Sequence, residues 1–375
     1  MKLQCTQENL DKALSNISRA VSTRTTLPIT QNVLLKATEG KLQLSATNLE
    51  LALNTWIGAD INTEGETTIP ARLLTDLIKT FPNQNIDLSS DDQTNNINIK
   101  CGPFDSNLIT QSSDEFPPIP ELNDMTPHFT INSNDLLKLI NSVIFSAAQD
   151  QSRPVLTGIK FSIQDNTLTM ASADGFRLSI IHHKIEDKVD DLDFIVPSKS
   201  LAELSRILPM IENPVNIFIT SAANQVIFMM DNYQLTTTLT QGTFPDFNSL
   251  IPDNTTTQCS IPKSDFKSAV RSLGVLAKDG SGIIKIEIDE ESNNKLLMSA
   301  KTDELGENSV VIPVTTSGKS SKIAFNSKYL SDVLDVIDTE NVILEINGDS
   351  NPGLIKPTDD SQYTHIVMPM FVQNW

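Results

Sequence analysis

Basic side chains seven residues apart recur in four short segments of this 375-residue chain. Lys12 is followed by Arg19, Arg72 by Lys79, and Lys199 by Arg206, while Lys263, Lys267, Arg271 and Lys278 form a longer series. At 100° per residue, a spacing of seven returns a side chain to the same helix face. Such rows offer cations to a polyanion through contacts that carry no sequence information and weaken with salt. Other chemistry finds little support. His128 and His365 stand alone, and adjacent His182 and His183 point to opposite faces of any strand, a poor metal pair. Neither G-x-x-x-x-G-K-[ST] nor G-x-G-x-x-G occurs, so no nucleotide fingerprint is met. Acidic clusters at Asp190, Asp191 and Asp193, and at Asp289, Glu290 and Glu291, suggest a two-metal hydrolase. Both fall between predicted strands, where solvated turns are the commoner explanation. No catalytic constellation, cofactor motif or metal site is expected.

The elements that carry the cations are amphipathic helices, predicted over 7–24, 70–81, 133–147, 197–209, 262–278 and 326–338. Leu10, Leu14, Ile17 and Val21 oppose the first basic row. Leu73, Leu74, Leu77, Ile78 and Phe81 are available to the core in the second, and Leu201, Leu204 and Leu208 in the fourth. Exposed helix faces are normally charged, and Lys and Arg are good helix formers. Glu is equally good, yet these spans hold 13 of the 28 Lys and Arg and 9 of the 47 Asp and Glu. They carry +4 in a chain of net charge −19, leaving −23 elsewhere. The sixth helix departs from the pattern, with Asp332, Asp335 and Asp338 against Lys328. A positive surface set in an acidic body suits a polyanion held in one place and repelled elsewhere.

The chain exceeds the usual size of one core, so two or three domains are expected. Three widely spaced cysteines, Cys5, Cys101 and Cys259, read as reduced thiols. The N-terminus lacks an apolar signal core and no run approaches 18 apolar residues, which points to a soluble cytoplasmic protein without a membrane partner.

A long internal period organises the chain. "LQLSATNLELAL" from Leu42, "LTMASADGFRLSI" from Leu168 and "LLMSAKTDELGENSV" from Leu296 place Ser-Ala alike, at Ser45, Ser172 and Ser299. "TTIPARLLTDLIKTFP", "DFIVPSKSLAELSRILP" and "KIAFNSKYLSDVLDVI" repeat at similar separations, and "EFPPIP" and "TFPDFNSLIP" close the first two units. Units of about 125 residues are domains rather than solenoid repeats. The expected domains are 1–122, 128–252 and 257–375. The fold class is α+β, each domain comprising two similar β-α-β halves with two helices packed on antiparallel sheets. A β-rich adhesin or carbohydrate module would explain the repeat, but neither the missing signal peptide nor the basic helix faces.

"ISRAVSTRTTLPI" from Ile17, "SADGFRLS", "FPDF" from Phe244 and "VMPM" from Val367 together resemble the bacterial DNA polymerase III beta subunit family, the sliding clamps. The resemblance spans the whole chain. It implies a ring-forming fold of three DNA-clamp domains and a head-to-tail homodimer whose twelve helices surround duplex DNA. Such a protein is a processivity factor and not an enzyme. By resemblance and position, Lys12, Arg19, Arg24, Arg72, Lys79, Lys199 and Arg206 face DNA, with Gln149 on a nearby loop. Pro154 and Val155 stand where the family often has aromatic residues.

The segment matching "ADGFRL" implies a pocket for a short linear motif of Gln plus apolar residues. It would serve the DNA polymerase III alpha subunit, the clamp loader complex, and other polymerases and repair proteins. Its implied lining is Leu156, Ala173, Gly175, Phe176, Arg177, Leu178, Pro245, Leu250, Val367, Met368, Pro369 and Met370. Two Met residues suit an adaptable site, Gly175 lets the backbone turn, and Arg177 is expected to offer donors at the rim. Phe176 replaces a frequent His and Ser249 a common basic residue, and the chain ends "FVQNW". Edge-strand pairing between subunits is implied, with Phe104, Leu108, Leu273 and Leu276 as apolar contacts.

Overall fold

The structure, a computed structural model, describes residues 1–22, 26–91, 95–120, 122, 125–220, 224–252, 254–289, 294–302, 304–358 and 362–372. The described residues contain six α-helices: α1 (Gln7–Ile17), α2 (Ala71–Thr80), α3 (Ser133–Val143), α4 (Ser198–Ile207), α5 (Lys263–Lys278) and α6 (Ser327–Val336). Five start directly after a short strand, and α3 starts one residue later, after Asn132, whose Oδ1 accepts the Asn134 N–H at 2.9 Å. Thr6 caps α1 by accepting the Asn9 N–H at 3.4 Å, and Asn326 caps α6 by accepting that of Lys328 at 2.9 Å. Pro70 and Pro262, which have no N–H to lose, precede α2 and α5.

Three helices are shorter than expected because their last turns tighten into 3-10 helix at Ser18–Ala20, Ile144–Ser146 and Leu208–Met210. Arg19 therefore sits on a 3-10 turn. Leu10, Leu14, Ile17, Leu74, Ile78, Leu201, Leu204 and Leu208 are buried as the helical period requires. Leu73 is not: it lies beside Arg72 on the outer face of α2 and is 49% exposed.

All paired strands are antiparallel, and the chain gathers into two compact bodies. Residues 1–136 and 202–239 form one, residues 137–201 and 240–375 the other, so the middle of the chain contributes to both. The first body holds a five-stranded sheet ordered 60–63, 2–6, 85–91, 96–101, 104–109. Its eight-stranded sheet runs 129–131, 215–220, 225–230, 233–238, 51–58, 41–47, 32–38, 65–70. The seam that joins successive repeats here pairs Leu235 with Leu53. The second body holds a nine-stranded sheet ordered 192–197, 158–164, 167–173, 177–184, 363–367, 353–357, 341–346, 257–262, 315–318. Its corresponding seam pairs Ile180 with Thr364. A four-stranded sheet, 306–313, 295–302, 283–288, 321–326, completes it.

Strand alternation corrects the repeat register. Leu42, Leu44 and Ala46 face the core of the first repeat, and Leu296, Met298 and Ala300 that of the third. Ser45 and Ser299 consequently point the other way. In the second repeat Leu168, Met170 and Ser172 share the buried face, and Ser172 donates to the Val143 carbonyl at the end of α3. The Ser-Ala pair is thus out of phase by one residue there, and the structural counterpart of Ser45 is Ala171. One residue of slip turns a side chain to the opposite face of a sheet.

Candidate partner pocket and phosphate-facing surface

The stretch Ala173 to Leu178 is a strand, a tight loop and a second strand, and Asp174 builds the loop. Its Oδ1 accepts the N–H groups of Phe176 and Arg177 at 2.9 and 3.0 Å, and its Oδ2 accepts Arg177 Nε at 3.0 Å. Gly175 adopts φ +93°, a conformation costly for residues with a Cβ. A Cβ there would also lie 2.6 Å from an Arg153 Nη atom, so the glycine leaves room for the Arg153 guanidinium. Arg153 in turn donates to the Asp174 carbonyl at 3.0 Å.

Arg177 departs from the expectation of a rim donor. Its side chain is 7% exposed and its groups are spent inward. Nη1 meets Asp332 Oδ2 at 2.6 Å, Nη2 donates to the Phe145 carbonyl at 2.6 Å, and the guanidinium lies 4.5 Å from the Tyr329 ring centroid. Asp332 also takes Lys328 Nζ at 2.8 Å. Arg177 therefore fastens the loop to α6, and Arg153 is the cation at the mouth. Beside it, Ser146, Ser179, Tyr363 and His365 form a buried chain of polar contacts, with Ser179 Oγ 2.8 Å from His365 Nδ1. Burial, reinforced by the Arg177 charge, pushes His365 down to about 3, so it is neutral in the folded protein.

Above the loop, two apolar clusters merge into a notch. Ala171, Leu178, Ile180, Leu354 and Ile366 form one, and Ala148, Leu156, Ile195 and Phe244 the other. Ala173 and Phe247 pack against both, Ile251 against the first and Val155 against the second. Leu156 and Leu178 form the floor. Phe176, Leu250 and Met368 are 56, 46 and 38% exposed, and Pro245 is exposed while Pro369 and Met370 are half-buried. Val367 is fully buried and contributes only backbone, pairing with Arg177 in the ladder. The Met368 N–H donates to the Phe176 carbonyl at 2.8 Å, which fixes the terminal segment beside the loop. Phe247 belongs to the lining although the sequence reading does not include it, even with "FPDF" containing it; Phe371 is 86% exposed. Of the tail, 373–375 lie outside the described residues.

Lys12, Arg19, Arg72, Lys79, Lys199 and Arg206 are all exposed, as is Gln149; Arg24 lies outside the described residues. Arg72 and Lys79 border a groove of about 510 Å³ between α2 and the end of α1, with Ser18, Ser22 and Gln31. The second body repeats this arrangement: Arg271, Lys278 and Lys328 border a groove of about 610 Å³ between α5 and α6. Carboxylates one turn away temper several cations. Lys12 pairs with Glu8 at 2.7 Å, Arg206 with Glu203 at 2.5 Å, and Arg72 with Asp76 at 3.7 Å. The Lys12–Glu8 and Arg72–Asp76 pairs are solvent-exposed, where water and salt screen the attraction, while Glu203 is half-buried.

Two sheet edges stay open in the respective bodies. Strand Phe104–Ile109 ends the five-stranded sheet, with Phe104 44% and Ile109 77% exposed and Leu108 half-buried. Strand Gly306–Pro313 ends the four-stranded sheet, with Val311 56% exposed. Leu273, expected at a subunit contact, is fully buried on the core-facing side of α5, whereas Val275 is 71% exposed and Leu276 half-buried. The helical period itself points Leu273 inward, in line with Phe266, Val270 and Ala277.

Three repeats of paired helices on antiparallel sheets, with basic helix faces and an apolar notch at a seam, define the three-domain sliding-clamp fold. Comparison with known proteins agrees along the whole chain. Residues 1–120, 130–246 and 248–371 match the N-terminal, central and C-terminal domains of the DNA polymerase III beta subunit. The chain belongs to this family. Among its relatives, the beta sliding clamp of Synechococcus elongatus is 28% identical over 375 residues, covering 99% of each chain. That of Staphylococcus epidermidis is 30% identical over 370 residues, 95% of this chain and 96% of the other. The Bacillus subtilis sliding clamp superposes with a TM-score of 0.94 at 24% identity over 99% of both chains, a likeness of fold. A Pseudomonas aeruginosa sliding clamp bound to griselimycin gives 0.92 at 28% identity, over 99% of this chain and all of the other. The protein is a sliding clamp acting in DNA replication, a processivity factor rather than an enzyme. No described helix is long and apolar enough to cross a membrane.

Proposed function

We propose that two copies of this chain close head to tail into a ring around duplex DNA in the cytoplasm, with domains 1–122, 128–252 and 257–375 in each. The two open, apolar sheet edges carry this reading, because an unpaired edge with exposed Ile109 or Val311 invites another strand. Pairing Phe104–Ile109 of one copy with Gly306–Pro313 of the next extends both sheets across the junction. Phe104, Leu108, Val275 and Leu276 then supply the apolar contact.

Lys12, Arg19, Arg24, Arg72, Lys79, Lys199 and Arg206, with Gln149, face DNA phosphates in this reading. Weak, sequence-independent contacts let the ring slide, and linkage is topological. The notch formed by Leu156, Ala173, Gly175, Phe176, Leu178, Pro245, Leu250, Met368, Pro369 and Met370 takes a short apolar motif. Its owners are the DNA polymerase III alpha subunit, the clamp loader complex, and other polymerases and repair proteins. Tethering through such a motif raises the polymerase's effective concentration at the primer end without new chemistry.

The test is retention after loading on circular and on linearised DNA. Persistence on circles with rapid loss from free ends is expected; equal loss from both would reduce the interaction to ordinary surface binding.

A further inference from the structure

We propose that the first body contains a second, polar binding site, in the cavity between its repeat seam and the connector after the first domain, for a small neutral molecule bearing a carboxamide. The cavity holds about 530 Å³, within the range that accommodates small ligands. Its floor is one straight rung of the eight-stranded sheet. Ser45 stands opposite Asn54, and Asn54 opposite Gln234 across the seam. Directly opposed residues share a face, so all three side chains line the same space. Two positions along, Gln43 stands opposite Trp56 and adds an aromatic wall.

The roof is the proline-rich connector, with Phe116 and Pro120. It is tied down where Gln234 Nε2 donates to the Pro120 carbonyl at 2.9 Å and where Thr68 and Gln111 exchange backbone hydrogen bonds at 3.0 Å. A tied roof admits a small molecule more readily than a length of polypeptide.

The observation that asks for a ligand is Asn54. It is 4% exposed, and its Oδ1 has no hydrogen-bond partner. A buried acceptor left unpaired is costly, and native proteins rarely leave one so. The fold does not demand a polar group here. At the second seam the same rung reads Ala171 opposite Ile180 opposite Thr364. Ser45 and Asn54 thus stand where the second repeat uses Ala and Ile; the third sets Ser299 opposite Ser309.

A carboxamide complements Asn54 in either orientation, donating N–H to Oδ1 and accepting from Nδ2. A carboxylate has no proton to donate to Asn54 Oδ1, and the cavity's two charged lining residues, Lys36 and Glu66, are of opposite sign and give an anion no net advantage. A flat ring attached to the carboxamide can lie between Trp56 and the Phe116–Pro120 roof.

Nicotinamide and nicotinate, alike in shape but different in charge and donor capacity, test this on the full-length protein. The readout is the indole N–H resonance of Trp56, distinguished from Trp375 by a Trp375→Phe variant. Expected are a saturable shift with nicotinamide, binding of nicotinate weaker by about tenfold or more, and a comparable loss for nicotinamide in Asn54→Ile. Ile occupies the equivalent place at the second seam, so the variant is suited to folding. If it does not fold, the nicotinamide–nicotinate contrast in the wild-type protein decides alone. No saturable shift, equal binding of the two, or an unchanged affinity in folded Asn54→Ile would each overturn the proposal. So would tighter binding of a blocked Gly-Gln-Gly peptide, which would make the site one for protein side chains.

Discussion

Arg177 joins the strand that carries the notch to α6, and its guanidinium is almost fully enclosed by Asp174, Asp332, Tyr329 and the Phe145 carbonyl. Removing one partner of a buried ionic cluster leaves the others unpaired, at a cost of about 3–5 kcal/mol. Arg177→Met should therefore lower the urea midpoint strongly and weaken binding of a motif peptide, although Arg177 points away from the notch. Calorimetric titration alongside urea unfolding checks both, and a stable variant with normal affinity would contradict the fastening role.

His365 gives a pH prediction. Burial depresses its folded-state value below the usual 6.5, so above that pH it is neutral in both states and costs nothing. As pH falls from about 6.5 toward 3, only the unfolded chain takes up the proton, and stability declines by up to about 1.4 kcal/mol per pH unit from this group. His365→Asn should flatten the fall in stability between these limits. The difference between the two urea-stability profiles measures it.

At the scale of elements, alternation and open edges decide what can associate. The edge strands Phe104–Ile109 and Gly306–Pro313 each present an apolar side chain to solvent. Placing a charge at either should oppose pairing without disturbing a core. Ile109→Asp and Val311→Asp are each expected to shift sedimentation from dimer toward monomer while leaving the melting of the chain nearly unchanged. A dimer that persists in both variants would move the junction elsewhere. Leu273→Ala, in contrast, opens a cavity inside the second body and should cost about 2–5 kcal/mol of stability.

At the scale of the whole molecule, a chain of net charge −19 displays cations along its helices. Arg72 lies on α2, and Lys199 and Arg206 share a face of α4 about 10 Å apart along its axis, so their effects on DNA retention should add. Replacing each by Ala should lower the slope of log affinity against log salt by about 0.9 for every phosphate that is no longer neutralised. Binding of partner motifs should not change, because none of the three lies in the notch. A salt slope equal to that of the unaltered clamp would remove these residues from the DNA-facing set.

Amphipathic periodicity, caps and the threefold repeat determine the six helices, and with them the exposure of the basic rows, because these depend on neighbours within a few residues. Leu156, Leu178 and Met368 are singled out only by the resemblance, since apolar character alone does not separate a partner surface from ordinary core. The tertiary structure alone decided the rest. Ser172 looks equivalent to Ser45, but strand pairing puts it on the opposite face. Arg177 reads as a rim donor until α6, some 150 residues later, brings Asp332 and Tyr329 against it. Asn54 and Gln234 meet only because the seam aligns strands far apart in the chain. Local patterns fix which residues can form an element and which face is apolar; register and long-range partners, set by packing across the chain, fix what each side chain touches.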